Sequence, residues 1–355
     1  MTHRLRTASV SLLAIALLAW FLRDANFAEV WKHLKGARLT LIAVALVCVG
    51  ATLWIRAVRW QYLLDPIGPT RFRTVFRTGV IGFAALAVLP ARVGDLLRPY
   101  LLARQDGLPV SATFATIVME RVLDLIAVLA LMALYVWGFA DTSAWPAALL
   151  RPIEIATAVG GLVSIAMIGV MWVLATHPAR IGAFVTAAAR VLPSRWASGL
   201  GDVASSFSSG FAIARAPRDL AAALFLSFPL WFVIAAESWA VTAAFHIAMP
   251  LVGSFLLQAM LVVGVAVPTP GGVGSYHEAY RFGVTTFFGA ENDQAVAAAI
   301  VVHVISFVPV VLLGVLFMAQ DGLSFGRLQR MADDQPPGKE RMRTDEVPVL
   351  RSSGR

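Results

Sequence analysis

Two apolar stretches of this chain are each broken by the same kind of helix-interrupting sequence, 180 residues apart: LPARVGD at Leu89 to Asp95, and TPGGVGSYHE at Thr269 to Glu278. Both contain Pro-x-x-Val-Gly, as Pro90/Val93/Gly94 and Pro270/Val273/Gly274, followed by a carboxylate, Asp95 or Glu278. A break of this kind frees backbone N–H and C=O groups. Lipid cannot satisfy them, so at membrane depth the break is tolerated only inside protein or beside a wet cavity. A matching pair of breaks in the two halves of a chain points to a polar site between inverted repeats.

That argument needs a membrane, and the composition supplies one. Of 355 residues, 59% are hydrophobic and only 14% charged, against about a quarter charged in a soluble domain; mean hydropathy is +0.76. The long apolar segments lack the alternation of barrel strands, which predicts an all-α polytopic membrane protein. A single cysteine, Cys48, rules out an intramolecular disulfide and a cysteine-built metal site. The net charge is +8, but the basic residues flank apolar segments and form no single patch. They are read as topology signals and contacts with anionic lipid headgroups, with no nucleic acid partner. No nucleotide-binding loop, G-x-S-x-G element or metal-ligand cluster is present, so a non-enzyme without cofactor or metal is expected.

Segments of about twenty apolar residues predict full crossings near 7–22, 39–60, 112–137, 154–175, 220–245 and 294–318. The first is read as a retained span, because Arg23 and Asp24 follow it where a signal peptide would have a cleavage site. Stretches 74–105 and 251–290 contain the breaks and are read as re-entrant helical hairpins. The expected architecture is about six full transmembrane helices plus two re-entrant hairpins in an inverted-repeat arrangement, with halves at about 39–137 and 220–318 of a domain covering 1–320. An eight-span bundle of kinked helices is the alternative. Lys and Arg excess places both termini on the cytoplasmic side, counting Arg56, Arg59, Arg71, Arg73 and Arg77 in the connection after the second span and the basic residues of the 176–218 loop. Residues 23–38 oppose that assignment. Their Phe27, Val30, Trp31 and Leu34 spacing predicts an amphipathic helix lying in the interface. The tail, 321–355, mixes charges with Pro336, Pro337 and Gly338 and is expected to be disordered and cytoplasmic.

Charged residues inside such a chain are the candidate site. In the first hairpin Arg92, Asp95 and Arg98 surround Gly94 at a half-helix N-terminus, which favours an anion. Snorkelling of Arg92 and Arg98 to headgroups, with Asp95 as a cap, is the plainer reading. The third span places Glu120, Arg121 and Asp124 within five residues, where each charge costs about 2.5–3.5 kcal/mol on insertion scales. Either they form an ion network that locks packing, or Arg121 binds an anion while Glu120 and Asp124 balance charge or carry protons. Gly271, Gly272 and Gly274 of the second hairpin allow close approach of a helix or ligand, and His277, Glu278 and Arg281 follow. His303 in the last span is a weaker charge-balance candidate, and isolated Glu237 has no partner legible in sequence.

The stretch LPARVGDLLRPYLLARQDGLPVSATFATIVMERVLDLIAVLAL, together with VPTPGGVGSYHEAY and RAVRWQYLL, resembles the flippase-like membrane domain of lysylphosphatidylglycerol synthases, in a stand-alone form without the synthase domain. The resemblance covers roughly residues 8–320. It implies an integral protein of the bacterial inner membrane that moves a phospholipid or glycolipid between leaflets, or alternatively a non-transporting accessory subunit beside an envelope-biosynthesis enzyme. By motif match it points to Arg92, Gly94, Asp95, Arg98, Glu120, Arg121, Asp124, Pro270, Gly271, Gly272, Gly274 and Glu278. Relatives often carry a Tyr-Arg pair where this chain has Val302 and His303. An intramembrane lipid-modifying enzyme using His277 and Glu278 is the least favoured reading.

Overall fold

The computed structural model describes residues 3–89, 93–176, 217–267, 269–323 and 326. Its regular structure is helical, with no strand among the described residues. The α-helices in chain order are α1 (His3–Leu22), α2 (Phe27–Gly36), α3 (Leu39–Leu64), α4 (Phe72–Val88), α5 (Val93–Asp106), α6 (Val110–Gly138), α7 (Ala147–Thr176), α8 (Pro217–Ala244), α9 (Ser254–Ala266), α10 (Ser275–Phe288) and α11 (Asn292–Gln320). Four are long and apolar enough to cross a membrane: α3, α7 over Ala147–Met167, α8 over Arg218–Ala244, and α11. A fifth crossing forms if α1 and α2, bent by 83° at the break between them, count as one. The 29 residues of α6, at about 1.5 Å each, also suffice by length.

Helix starts and stops follow the local chemistry. The Asn26 side chain accepts the Ala28 N–H at 3.1 Å and so caps α2, while the Asn26 N–H donates to Asp293 Oδ1 at 3.0 Å and ties the α1–α2 corner to the first turn of α11. Val30 turns inward and Trp31 outward, the two-faced helix that the spacing of residues 23–38 predicts. Both Pro/Gly-containing stretches are broken as expected, into α4/α5 and α9/α10, with a short 3-10 turn at Pro270–Gly272. Residues 177–216, Pro90, Ala91, Arg92, Pro268, Ser324, Phe325 and the tail beyond 326 lie outside the described residues.

Each broken pair folds back on itself because glycine removes the side chain at the crossing. A Cβ on Gly94 would collide with the Gly82 carbonyl and the Leu86 backbone; one on Gly264 would stand 2.9 Å from the Ser275 oxygen. So α5 lies directly on α4, and α10 on α9. Around these pairs α3 packs along α8, α4 against α11, and α6 against α9, while α5 also touches α6, α10 also touches α11, and α1 rests on α10. The two breaks meet: a Cβ on Gly271 would stand 3.1 Å from the carbonyl oxygen of Ala87 at the end of α4.

Gly274 sits at φ 86°, ψ −61°, where a side chain is strained, and its missing Cβ faces the Leu17 backbone carbonyl carbon of α1 at 2.8 Å. Gly274→Ala is therefore expected to cost about 1–3 kcal/mol of strain and to loosen α1 from the second hairpin. Thermal unfolding of the detergent-purified protein checks this; an unchanged midpoint would contradict it.

One expectation needs correction. Arg56 and Arg59 were assigned to the connection after the second span, but α3 continues to Leu64 and carries both on its inner face, with Arg59 fully buried. They are part of the interior, not topology markers outside it.

Candidate functional site

Where α3, α5, α6 and α8 converge, seven charged side chains meet. Glu120 Oε1 on α6 accepts from Arg98 Nη1 at 2.9 Å and has Arg59, Arg121 and Arg56 nitrogens at 3.6, 3.8 and 4.0 Å. One turn on, Asp124 Oδ1 accepts from Arg59 Nη1 at 2.7 Å and from the Trp231 indole of α8 at 3.0 Å, while Oδ2 lies 3.7 Å from Arg121 and 3.9 Å from Arg56. Arg59 Nη1 also donates to Ser227 Oγ at 2.9 Å. Asp95, in the first turn of α5, lies 3.3 Å from Arg121 Nη2. The Arg98 guanidinium rests 3.7 Å over the Trp60 ring, and Trp60 donates to Thr116 Oγ1 at 2.9 Å.

The sequence places these groups for simple reasons. Glu120 and Asp124 are four apart on one helix and share a face. Arg56 and Arg59 are three apart on another. Gly82 admits the stem of Arg98, whose Cβ would stand 2.6 Å from an added Cβ there, so the close α4–α5 crossing delivers the guanidinium to Glu120. Arg98 is therefore buried and paired, and the snorkelling alternative does not describe it.

Two properties set what this cluster can do. Four guanidinium groups, Arg56, Arg59, Arg98 and Arg121, face three carboxylates, Asp95, Glu120 and Asp124. Among the described residues the cluster is left with one positive charge in excess. It also opens in one direction: the Arg59 and Glu120 side chains are 0% exposed, whereas Asp95 is 26% and Arg121 40% exposed. Buried nitrogens of Arg56, Arg59, Arg98 and Arg121 have no hydrogen-bond partner, and neither do the buried oxygens Glu120 Oε2 and Asp124 Oδ2; ordered water would satisfy both kinds, and an anion the donors. A void of about 10 Å³, room for about one water, lies between α3, α4 and α5 with Arg56 and Arg98 in its wall, otherwise apolar apart from Gly79.

The second group of expected residues gathers at the other break. His303 Nε2 on α11 donates to the Gly271 carbonyl at 2.8 Å, and its ring lies 4.4 Å from that of His277 and 4.5 Å from Phe307. His277 Nδ1 accepts the Gly274 N–H at 3.3 Å, so that nitrogen carries no proton. A cleft of about 170 Å³ opens here, lined by Ala87, Pro270, Gly271, His303, Phe307 and Leu312 among others. It is apolar apart from His303 and exposed backbone. Gly272 is buried in the 3-10 turn. Glu278 belongs to neither group: it pairs with Arg281 at 2.7 Å, and Arg281 continues to Asn292 at 2.9 Å, toward the α10–α11 connection. Arg92 lies outside the described residues. Among those residues no three metal-binding side chains cluster.

The sequence reasoning missed four members of the charged site. Arg56 and Arg59 were visible as charges within an apolar helix and should have been read as interior. Ser227 and Trp231 carry no such signal, since both are ordinary in an apolar helix. Glu237 does have a partner, Ser306 Oγ, which donates to Oε1 at 2.5 Å.

Comparison with known proteins places the chain among membrane proteins. The chain is 23% identical over 334 residues to a UPF0104 membrane protein of Methanothermobacter thermautotrophicus, covering 88% of this chain and 92% of that protein. It is 30% identical over 143 residues to glycosyltransferase AglD of Haloferax volcanii, which is 40% of this chain but only 23% of AglD. Residues 8–314 match the family described as the lysylphosphatidylglycerol synthase TM region, and this membrane protein belongs to that family.

Proposed function

We propose that this protein moves an anionic phospholipid or glycolipid between the leaflets of a bacterial cytoplasmic membrane, with both termini in the cytoplasm and no chemical step of its own. The observation that carries the proposal is the cluster at α3, α5, α6 and α8: four guanidinium groups against three carboxylates, with Arg121 at its open side. A charged site inside a membrane protein is costly and is retained where a polar substrate must pass. Arg121 would grip the headgroup phosphate with two hydrogen bonds, supported by Arg98 and the start of α5 at Gly94 and Asp95. The apolar cleft at Gly271 and His303 would take a hydrocarbon chain.

The helix neighbours support six spans and two re-entrant hairpins in inverted halves. Exchange α3 with α8, α4 with α9, α5 with α10 and α6 with α11. The α4–α11 contact then becomes α6–α9, each hairpin becomes the other, and α3–α8 maps onto itself. Such a duplicated frame, meeting at two broken helices, suits alternating exposure of a fixed site.

A second reading, an accessory subunit that presents lipid to an envelope-biosynthesis enzyme, draws on the partial match to a protein named a glycosyltransferase. Reconstitution separates the two. Vesicles containing the purified protein should move fluorescent anionic lipid between leaflets faster than protein-free vesicles and faster than they move a zwitterionic analogue. Equal rates in all three would favour the accessory role.

A further inference from the structure

Three carboxylate residues are buried among the described residues: Glu120, Asp124 and Glu237. The first two sit among arginines. Glu237, on α8, is held by the Ser306 hydroxyl of α11, and no Lys or Arg of the described residues pairs with it. The groups facing it are few. From α3 come Cys48 and Arg56, the Arg56 guanidinium lying 4.0 and 3.9 Å from Glu120 and Asp124. From α10 comes Tyr276, whose ring packs edge-on against Phe307, next to Ser306, at 5.8 Å. Packed α9 carries no titratable side chain, and α6 offers Asp124, engaged farther along α8 by Trp231. We propose that Glu237 is a proton-binding site, neutral while buried against Ser306 and ionised when the second hairpin moves aside.

The chemistry favours a proton over a metal cation. A carboxylate in a membrane interior without a cation is far more costly than the neutral acid, and the neighbours supply hydroxyls and a thiol in place of the six or so oxygens a hard cation takes. The location links the proton to motion. Ser306 ties Glu237 on α8 to α11, one turn from His303, against which the Tyr276 ring of α10 stacks edge-on at 5.5 Å and which in turn holds Gly271 at the second break. Losing the proton would put a bare charge into that junction, and water could reach it only if α10 separates from α8 and α11. The proton would come from water on one side and return to water on the other, with no other bond made or broken. This differs from proton carriage by Glu120, Asp124 or Glu278, each of which has an arginine partner.

The test is infrared difference spectroscopy of the full-length protein in lipid nanodiscs, stepped between neutral and alkaline buffer. A carbonyl stretch of a protonated carboxyl should be present at neutral pH, shift on 13C-glutamate labelling, rise in frequency in Ser306→Ala, vanish in Glu237→Gln and persist in Glu278→Gln. Absence of the band, or its survival in Glu237→Gln, overturns the assignment. The link to transport rests on the lipid-moving role proposed above and is read separately: a pH gradient should change lipid movement several-fold in the parent and leave Glu237→Gln indifferent. A parent that moves no lipid rejects that role, while the infrared band still decides the proton site.

Discussion

Replacing Asp124 by alanine is expected to destabilise the protein by about 3–5 kcal/mol, the usual penalty for leaving one member of a buried ion pair without its partner. The Asp124 carboxylate takes hydrogen bonds from Arg59 and Trp231 and faces Arg56 and Arg121, so its removal strands the fully buried Arg59 beside the indole. Glu120 offsets only part of the loss: its Oε1 is shared among four guanidinium groups, with Arg59 Nη2 at 3.6 Å, beyond hydrogen-bond reach. Removing both charges together behaves differently: Arg59→Met with Asp124→Leu should recover much of the loss, since apolar replacement of a buried pair is often neutral or better. Denaturant unfolding in detergent reads both. An Asp124→Ala protein within about 0.5 kcal/mol of the parent, the range of an inconsequential surface change, would contradict the geometry.

Arg121→Ala should do the opposite, sparing stability and removing function. Its side chain is 40% exposed, and its buried partners Glu120 and Asp124 keep other arginines, so the structural cost should be under about 1 kcal/mol. The change equalises the charge of the cluster and deletes its accessible guanidinium. A charge-assisted hydrogen bond contributes about 1.5–3 kcal/mol, which corresponds to a roughly ten- to hundredfold slower movement of anionic lipid. Arg121→Lys, keeping the charge and losing the two-pronged geometry, should fall between. Reconstituted vesicles with matched protein content read the series, and an Arg121→Ala protein as fast as the parent would reject this residue as the phosphate ligand.

Much of the fold was legible because lipid enforces simple rules. Apolar length located α3, α6, α8 and α11 to within a few residues, and Pro/Gly content located both breaks, since unsatisfied backbone has few hiding places in hydrocarbon. The site was legible only in part. Glu120, Arg121 and Asp124 declared themselves as charges in an apolar helix, but Arg56 and Arg59 near the end of α3 resembled the basic flank of a shorter span. Only the helix continuing to Leu64 makes them interior. The grouping of Arg98 with Glu120 depends on Gly82 and Gly94 letting two helix backbones touch, which is a fact of packing and not of periodicity. Glu278 shows the converse: its motif position suggested the break, yet an arginine three residues on at Arg281 turns it toward the α10–α11 connection.

On this proposal the charged cluster at α6 is a wet site that an anionic headgroup can enter from within the membrane. Thiol labelling tests it most directly, with Arg121→Cys placed in a Cys48→Ser background and probed in sealed vesicles by a membrane-impermeant reagent. Position 121 should react from one side or both, as a residue facing a water-filled chamber does. A cysteine there that stays unreactive from both sides, in a protein that remains folded, would mean that the arginines only lock the helices together.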